Sequence, residues 1–325
     1  MKLFVYCFRD FDERQHFDAL TREAGSDYAA SPDYPTAETA HLAAGCEAIS
    51  FTPCRMDAAL LRQFRDLGVK YLALRSIGYN HVDLEAARAL GMRVSRVAYE
   101  SDTVAEYAIL LMLAGCRRLG QILDRARVQD YSLRGKMGRT LSGSTVGVVG
   151  TGAIGGAVVR RLQGFGCRVL AYDPYPNPSL PCAYVPLEQL WAESDLITLH
   201  CPVTAENVHL VDAAALARMK RGVILVNTAR GLLVDTDALI AALVSGQVGY
   251  AGLDVLENED GLYFYNRTGD VIDNPQMAQL RSFPNVMLTP HTAFYTGTVV
   301  GQMAAAVVRC ACDMAAGRDN PLIVL

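Results

Sequence analysis

The stretch Thr145-Val146-Gly147-Val148-Val149-Gly150-Thr151-Gly152-Ala153-Ile154-Gly155 decides how the second part of this chain folds. An apolar, strand-like run passes into a G-x-G-x-x-G loop, and the loop opens a helical stretch over residues 153–162. In that setting Gly150 permits the tight turn, Gly152 lets the backbone approach a pyrophosphate, and Gly155 lets helix and strand pack closely. The helix start, at Ala153 and Ile154, offers free N–H groups and a positive dipole end to the phosphates. A glycine turn serving packing alone is the competing reading, and the strand, the helix and a following acid together weigh against it. That acid is Asp173, eighteen positions beyond Gly155 at the end of the next strand-like run. A carboxylate there accepts from ribose hydroxyls and rejects a 2′-phosphate. Pro174 and Tyr175 follow it rather than an arginine, so NAD is expected over NADP.

Working outward from the loop, further βα alternation places strands at 196–199, 223–226, 249–253 and 286–288, which predicts a doubly wound parallel sheet. Before the loop, β-rich runs at 3–8, 48–51 and 71–74 alternate with helical stretches at 58–66 and 84–90. A long interdomain helix is predicted from Thr103 to about Leu119 with Asp102 as its N-cap. A polar, basic stretch, 131–144, separates it from the glycine-loop strand, and an Ala-rich helix over about 298–316 is expected to return to the first domain. The fold class is therefore α/β, with two Rossmann-like domains. Residues 102–294 form the NAD-binding domain, and a discontinuous, flavodoxin-like substrate domain takes 1–101 and 295–325.

Composition agrees with that plan. At 325 residues, 51% of them hydrophobic, the chain has apolar surface for two cores. Its 34 acids and 30 bases give a net charge of −4 without charge blocks, so neither a nucleic-acid track nor a membrane-surface patch is expected. The start, Met1-Lys2-Leu3-Phe4-Val5-Tyr6-Cys7, soon meets Arg9 and Asp10 and reads as a first strand, not a leader. The most apolar window, 107–116, is too short to span a bilayer. Nine cysteines form no CxxC pair and no zinc-type spacing, so no metal is expected and the cytoplasm is the expected compartment. Cys201 reads as a small hydrophobe at a strand end, with a reactive thiol as the competing reading.

Three polar residues follow the loop at strand ends or in adjoining loops, where an open α/β sheet builds its sites. Arg230, in Asn227-Thr228-Ala229-Arg230-Gly231, offers a planar guanidinium suited to gripping a carboxylate. Glu259 ends Leu253-Asp254-Val255-Leu256-Glu257-Asn258-Glu259, and His291 lies in Thr289-Pro290-His291-Thr292. Each alone reads equally as a solvated or structural side chain, and Glu257 rivals Glu259 as a partner for His291.

Taken in order along the chain, these segments resemble the D-specific 2-hydroxyacid dehydrogenases over nearly the whole length. The 32 positions from Glu259 to His291, the insertion over 261–275 and the run His291-Thr292-Ala293-Phe294-Tyr295-Thr296 are similar to the D-lactate dehydrogenase branch. That branch includes D-2-hydroxyisocaproate and phenyllactate-type enzymes. Arg75-Ser76-Ile77-Gly78-Tyr79-Asn80-His81-Val82-Asp83 and Tyr99 support the same placement. The resemblance implies that Arg230 binds the 2-oxoacid carboxylate, with Ile77 and Gly78 N–H groups on its other oxygen. It implies that His291 is the general acid–base oriented by Glu259, and that the protein is a homodimer. It also carries over cofactor contacts at Cys201, Pro202, Asn207, Thr228, Ala229, Arg230 and Asp254. Asp254 reads equally as a strand-end cap, and Asn207 as a turn residue.

Two departures from the family pattern bear on substrate choice. Tyr99-Glu100-Ser101 stands where Tyr-Ser-Pro is usual, and Phe51 where lactate-preferring members often carry tyrosine. Phe51, Tyr99 and Phe294 are expected to line the substrate pocket, with core packing as the competing reading of the aromatic residues. Pyruvate or a larger 2-oxoacid is the expected substrate. The rival from another class is an NAD-sensing corepressor-like protein, since relatives of that kind keep the Arg/Glu/His set.

Overall fold

The computed structural model describes residues 1–259 and 261–325. The chain forms two compact units, residues 1–100 with 295–325, and residues 101–294.

The first unit holds strands β1 (Lys2–Val5), β2 (Asp27–Ala30), β3 (Ala48–Phe51), β4 (Tyr71–Leu74) and β5 (Arg93–Ser95), all parallel, in the spatial order β2-β1-β3-β4-β5. This is the flavodoxin-like order. Its central strands read as unbroken apolar runs because both faces are covered. Helices α1 (Asp10–Glu23), α2 (Ala58–Asp66) and α3 (Leu84–Ala89) connect the strands, and Asp57 and Asp83 cap the last two through Leu60 N and Ala86 N. Phe4, Ile49, Phe51, Leu61, Phe64 and Leu72 form one fully or nearly fully buried core.

The second unit begins with α4 (Asp102–Cys116) and α5 (Leu119–Arg127). Its sheet contains β6 (Thr145–Val149), β7 (Arg168–Tyr172), β8 (Ala183–Tyr184), β9 (Leu196–Leu199), β10 (Val223–Asn227), β11 (Val248–Leu253) and β12 (Val286–Leu288). The helices between them are α6 (Ala153–Leu162), α7 (Leu187–Glu193), α8 (Ala213–Arg218), α9 (Thr236–Ser245) and α10 (Pro275–Ser282). All seven strands are parallel, in the order β12-β11-β10-β9-β6-β7-β8. The order reverses between β6 and β9, which opens the crevice at their carboxyl ends where such sheets bind ligands. One face packs Val146, Val148, Ile224 and Val226 against α4 and α6, while the other packs Ile197, Leu199, Leu225 and Leu253 against α7, α8 and α9.

The chain then returns to the first unit as α11 (Gly297–Ala315). This helix is long and apolar enough to cross a bilayer by length and composition. Val299, Met303, Val307, Cys310 and Met314 are instead buried, and it packs on α1, β4 and β5. The last residues pair antiparallel with β5, through a Ser95–Ile323 bridge and Val324 N to Val94 O at 2.8 Å.

The expected helix from Thr103 to Leu119 differs in three ways. It starts after Ser101, and Asp102 is its first helical residue and not its cap. The Asp102 carboxylate pairs with Arg161 of α6 at 2.8 Å, where it also suits the positive helix end. It ends at Cys116 because Arg118 adopts a left-handed φ of 52°, so 119–127 forms a separate helix. The whole helix belongs to the second unit, packed on α6, β10 and β11.

Candidate active site

The glycine loop leaves β6 with Gly150 at φ +88°, where a Cβ would stand 2.7 Å from Cys201 N. Gly155 is tighter still, since a Cβ there would meet Gly150 O at 1.9 Å. Only glycine lets α6 start so close to the turn. Gly152 is the opposite case: a Cβ would meet nothing within 4 Å. The loop's outer side is thus clear for a phosphate to approach the backbone, and no side chain caps the first turn of α6 after Gly152. The arrangement fits a dinucleotide pyrophosphate.

Asp173 stands at the end of β7, where its Oδ2 accepts from Thr151 N at 2.6 Å and Thr151 Oγ1 at 3.0 Å. Its Oδ1 accepts from Tyr175 N at 2.8 Å. The carboxylate therefore ties the glycine loop to β7, and Oδ1, with a single donor, keeps a lone pair for a ribose hydroxyl. Thr151 Oγ1 also reaches Tyr184 OH at 2.9 Å, a brace invisible in the motif. Cys201, just past β9, is half-buried, and burial pushes its thiol up to about 11. It is a protonated thiol, in line with the small-hydrophobe reading. Its neighbour His200, which sequence reasoning missed, is pushed down to about 3 by burial and bonds Thr198 Oγ1 at 2.9 Å, so it is neutral at working pH.

Asn207 proves to be a turn residue: Oδ1 accepts from Thr204 N and Nδ2 donates to Pro202 O, both at 2.7 Å. After β10, buried Asn227 builds the turn that presents the arginine, with Oδ1 accepting from Ala229 N at 3.0 Å and Nδ2 donating to Arg230 O at 2.8 Å. Arg230 is half-buried, donates to Ala229 O at 2.6 Å, and pairs with no acid among the described residues. Thr228 is buried beside it with an unpartnered Oγ1. Gly231 sits where a Cβ would meet Leu256 C and O at 2.0 Å, so the Arg230 turn crosses directly over the segment that leads to Glu259.

On that segment, Glu259 Oε2 accepts from Leu256 N at 2.9 Å and Oε1 accepts from His291 Nδ1 at 2.7 Å. His291 holds a left-handed backbone, φ 53°, just after β12. Fully buried Asp254 maintains it, as its carbonyl accepts from His291 N at 2.7 Å. Its carboxylate takes Thr289 Oγ1, Thr292 N and Ala293 N at 2.6–2.9 Å. Asp254 thus acts as a strap on the histidine loop, more than the strand-end cap envisaged from its position. Phe264 and Phe294 flank the imidazole, with ring centroids 5.5 and 6.4 Å away. Glu257, the rival partner for His291, is engaged elsewhere: it holds His209 Nε2 at 2.6 Å and Thr236.

In the first unit, Ile77 and Gly78 follow β4, where Ser76 Oγ donates to Gly78 O at 2.7 Å. Buried Arg75 supports this loop by donating to Tyr6 O and Cys7 O and facing Glu13. Phe51 is 0% exposed in the core, edge-on to His81, so its ring offers no accessible surface. Packing is therefore its reading in this structure. Tyr99 is half-buried before the chain crosses to α4. Ser101, which replaces the usual proline, adopts φ −74°, within the range that proline imposes.

An imidazole hydrogen-bonded to a carboxylate, on the same sheet edge as a loop that fits a dinucleotide pyrophosphate, suits an oxidoreductase of the nicotinamide-dependent class. Residues 109–293 match the model of the D-isomer specific 2-hydroxyacid dehydrogenase NAD binding domain. The chain is 40% identical to the D-lactate dehydrogenase of Escherichia coli K12, over 99% of each chain. It is 43% identical to the D-specific alpha-keto acid dehydrogenase of Enterococcus faecalis, over 88% of this chain and 92% of the relative. The apo-structure of D-lactate dehydrogenase from E. coli superposes with a TM-score of 0.88, at 38% identity and complete coverage of both chains. This protein belongs to the D-isomer specific 2-hydroxyacid dehydrogenase family and uses NAD.

Proposed function

We propose that this enzyme reduces pyruvate or a somewhat larger 2-oxoacid to the (R)-2-hydroxyacid, reversibly, in the manner of D-lactate dehydrogenases. The observation that carries the reading is the 2.7 Å His291–Glu259 bond at the same sheet edge as Arg230, which pairs with no acid among the described residues. With Nδ1–H donated to Glu259, the proton that His291 can transfer sits on Nε2. Arg230 grips the substrate carboxylate with parallel N–H bonds and polarises the keto oxygen. Bound NADH supplies the hydride that C2 accepts. His291 then passes its Nε2 proton to the alkoxide, and removes it again when the hydroxyacid is oxidised. Ile77 and Gly78 N–H groups serve the carboxylate, and Tyr99 and Phe294 the side chain.

NADH oxidation with pyruvate, 2-oxoisocaproate and phenylpyruvate tests this. Turnover on at least one is expected, with pyruvate or 2-oxoisocaproate ahead. NADH binding without turnover on any of the three would leave a corepressor-like sensor in its place.

The cytoplasm suits nine free cysteines, and the small-molecule substrate suits a sequence without blocks of basic charge. A homodimer is proposed because Val128, Tyr131, Leu133 and Met137 lie exposed in the segment after α5. Light scattering should give twice the 35.3 kDa chain mass, and Tyr131→Glu with Leu133→Glu should shift it toward one. A wild-type single-chain mass at micromolar concentration contradicts the dimer.

A further inference from the structure

Glu257 lies two residues before Glu259, yet both of its carboxylate oxygens are held by other partners. Oε1 meets His209 Nε2 at 2.6 Å, while Oε2 accepts from Thr236 N at 2.9 Å and Thr236 Oγ1 at 2.6 Å. Each partner belongs to a different loop at the carboxyl edge of the sheet. Thr236 starts α9, six residues beyond Arg230. His209 ends the loop after β9 that carries Cys201, Pro202 and Asn207, and it holds a left-handed φ of 55°. That loop is stitched to the Arg230 loop by His209 N to Leu232 O at 2.8 Å and Val211 N to Leu233 O at 2.9 Å. One carboxylate thus fastens the cofactor-side loop, the Arg230 loop and the Glu259 segment together.

We propose that His209 and Glu257 form a positioning clasp, outside the reacting groups, that holds the cofactor-side loop and Arg230 in register with Glu259. The clasp responds to pH. Glu257 is nearly buried while the imidazole is 41% exposed, so the imidazole is the member that solvent protons reach. The hydrogen bond to Glu257 raises the His209 pKa, and the other charges acting on it, Asp235 and Asp212, are also negative. The charge-assisted form is therefore complete below the ordinary histidine value of about 6.5 and is lost as pH rises through the raised value. Deprotonation leaves a weaker neutral hydrogen bond rather than an open loop.

The inference rests on the reading above that Arg230 and the β9 loop serve substrate and NADH. Its test uses the full-length enzyme with His209→Ala, His209→Gln and Glu257→Gln, measured from pH 6 to 9. Fluorescence titration gives the NADH Kd without turnover, and steady-state kinetics give kcat and KM. At pH 6, His209→Ala should raise the NADH Kd and the 2-oxoacid KM by about three- to tenfold, with kcat within about twofold. The penalty should shrink toward pH 9, where the wild type has lost its own charged clasp. His209→Gln, which keeps a neutral donor and does not titrate, should give a smaller penalty at pH 6 that likewise shrinks toward pH 9, and Glu257→Gln should follow it. Variants with wild-type Kd and KM at pH 6, or with a penalty equal at both ends of the range, overturn the clasp. A wild type without turnover but with the same pH-dependent Kd differences refutes the functional reading and leaves the clasp standing.

Discussion

His291→Asn is expected to lower kcat for 2-oxoacid reduction by about 10²–10⁴-fold, the usual contribution of a positioned general acid, while KM changes little. Asparagine is the informative replacement because position 291 holds φ 53°, which asparagine tolerates better than most residues. The loop can then keep its bonds to Asp254, so the loss reports the missing imidazole and not a collapsed backbone. Oxidation of the (R)-2-hydroxyacid should fall by a similar factor, since the same nitrogen serves both directions. Glu259→Gln should cost less, about 10–100-fold, because the amide oxygen can still accept from Nδ1 and orient the ring but no longer stabilises the imidazolium. A His291→Asn enzyme within tenfold of wild-type kcat would remove this residue from the proton-transfer role.

What was legible in the sequence is what local rules govern. The glycine loop could be read because a tight turn, a close phosphate approach and a close helix contact each require glycine at fixed offsets, and the Cβ distances at Gly150 and Gly155 bear this out. The buried strands could be read because parallel sheets covered on both faces leave unbroken apolar runs. The overrun at Leu119 shows where such rules stop. Apolar periodicity continues past Cys116, and nothing in Arg117-Arg118 announces a left-handed residue. β8, only two residues long, carries too little pattern to detect. Side-chain pairing across long separations was equally hidden. His209 and Glu257 lie 48 positions apart, and proximity in sequence made Glu257 look like a partner for His291. Asp254 could be placed at a strand end, but its three bonds to residues 289–293 depend on how β11 and β12 lie side by side.

Arg230 makes the second large prediction, and it separates substrate recognition from cofactor binding. Arg230→Ala should lower kcat/KM for the preferred 2-oxoacid by about a thousandfold, roughly 4 kcal/mol, within the range for removing one partner of a desolvated, hydrogen-bonded charge pair. Arg230→Lys should recover only part of this, since an ammonium supplies charge without the planar fork. The NADH Kd should stay within about threefold of wild type in both variants. Asn227, which builds the turn, and Gly231, which sets its crossing over Leu256, are unchanged, so the Thr228-Ala229 backbone keeps its course. Equal losses in NADH affinity and in kcat/KM would instead mean that the arginine acts by holding the loop. Near-normal turnover of pyruvate, 2-oxoisocaproate and phenylpyruvate by Arg230→Ala would place carboxylate recognition elsewhere. The guanidinium argues against both outcomes, because among the described residues it pairs with no acid and so keeps charged donors available to an arriving anion.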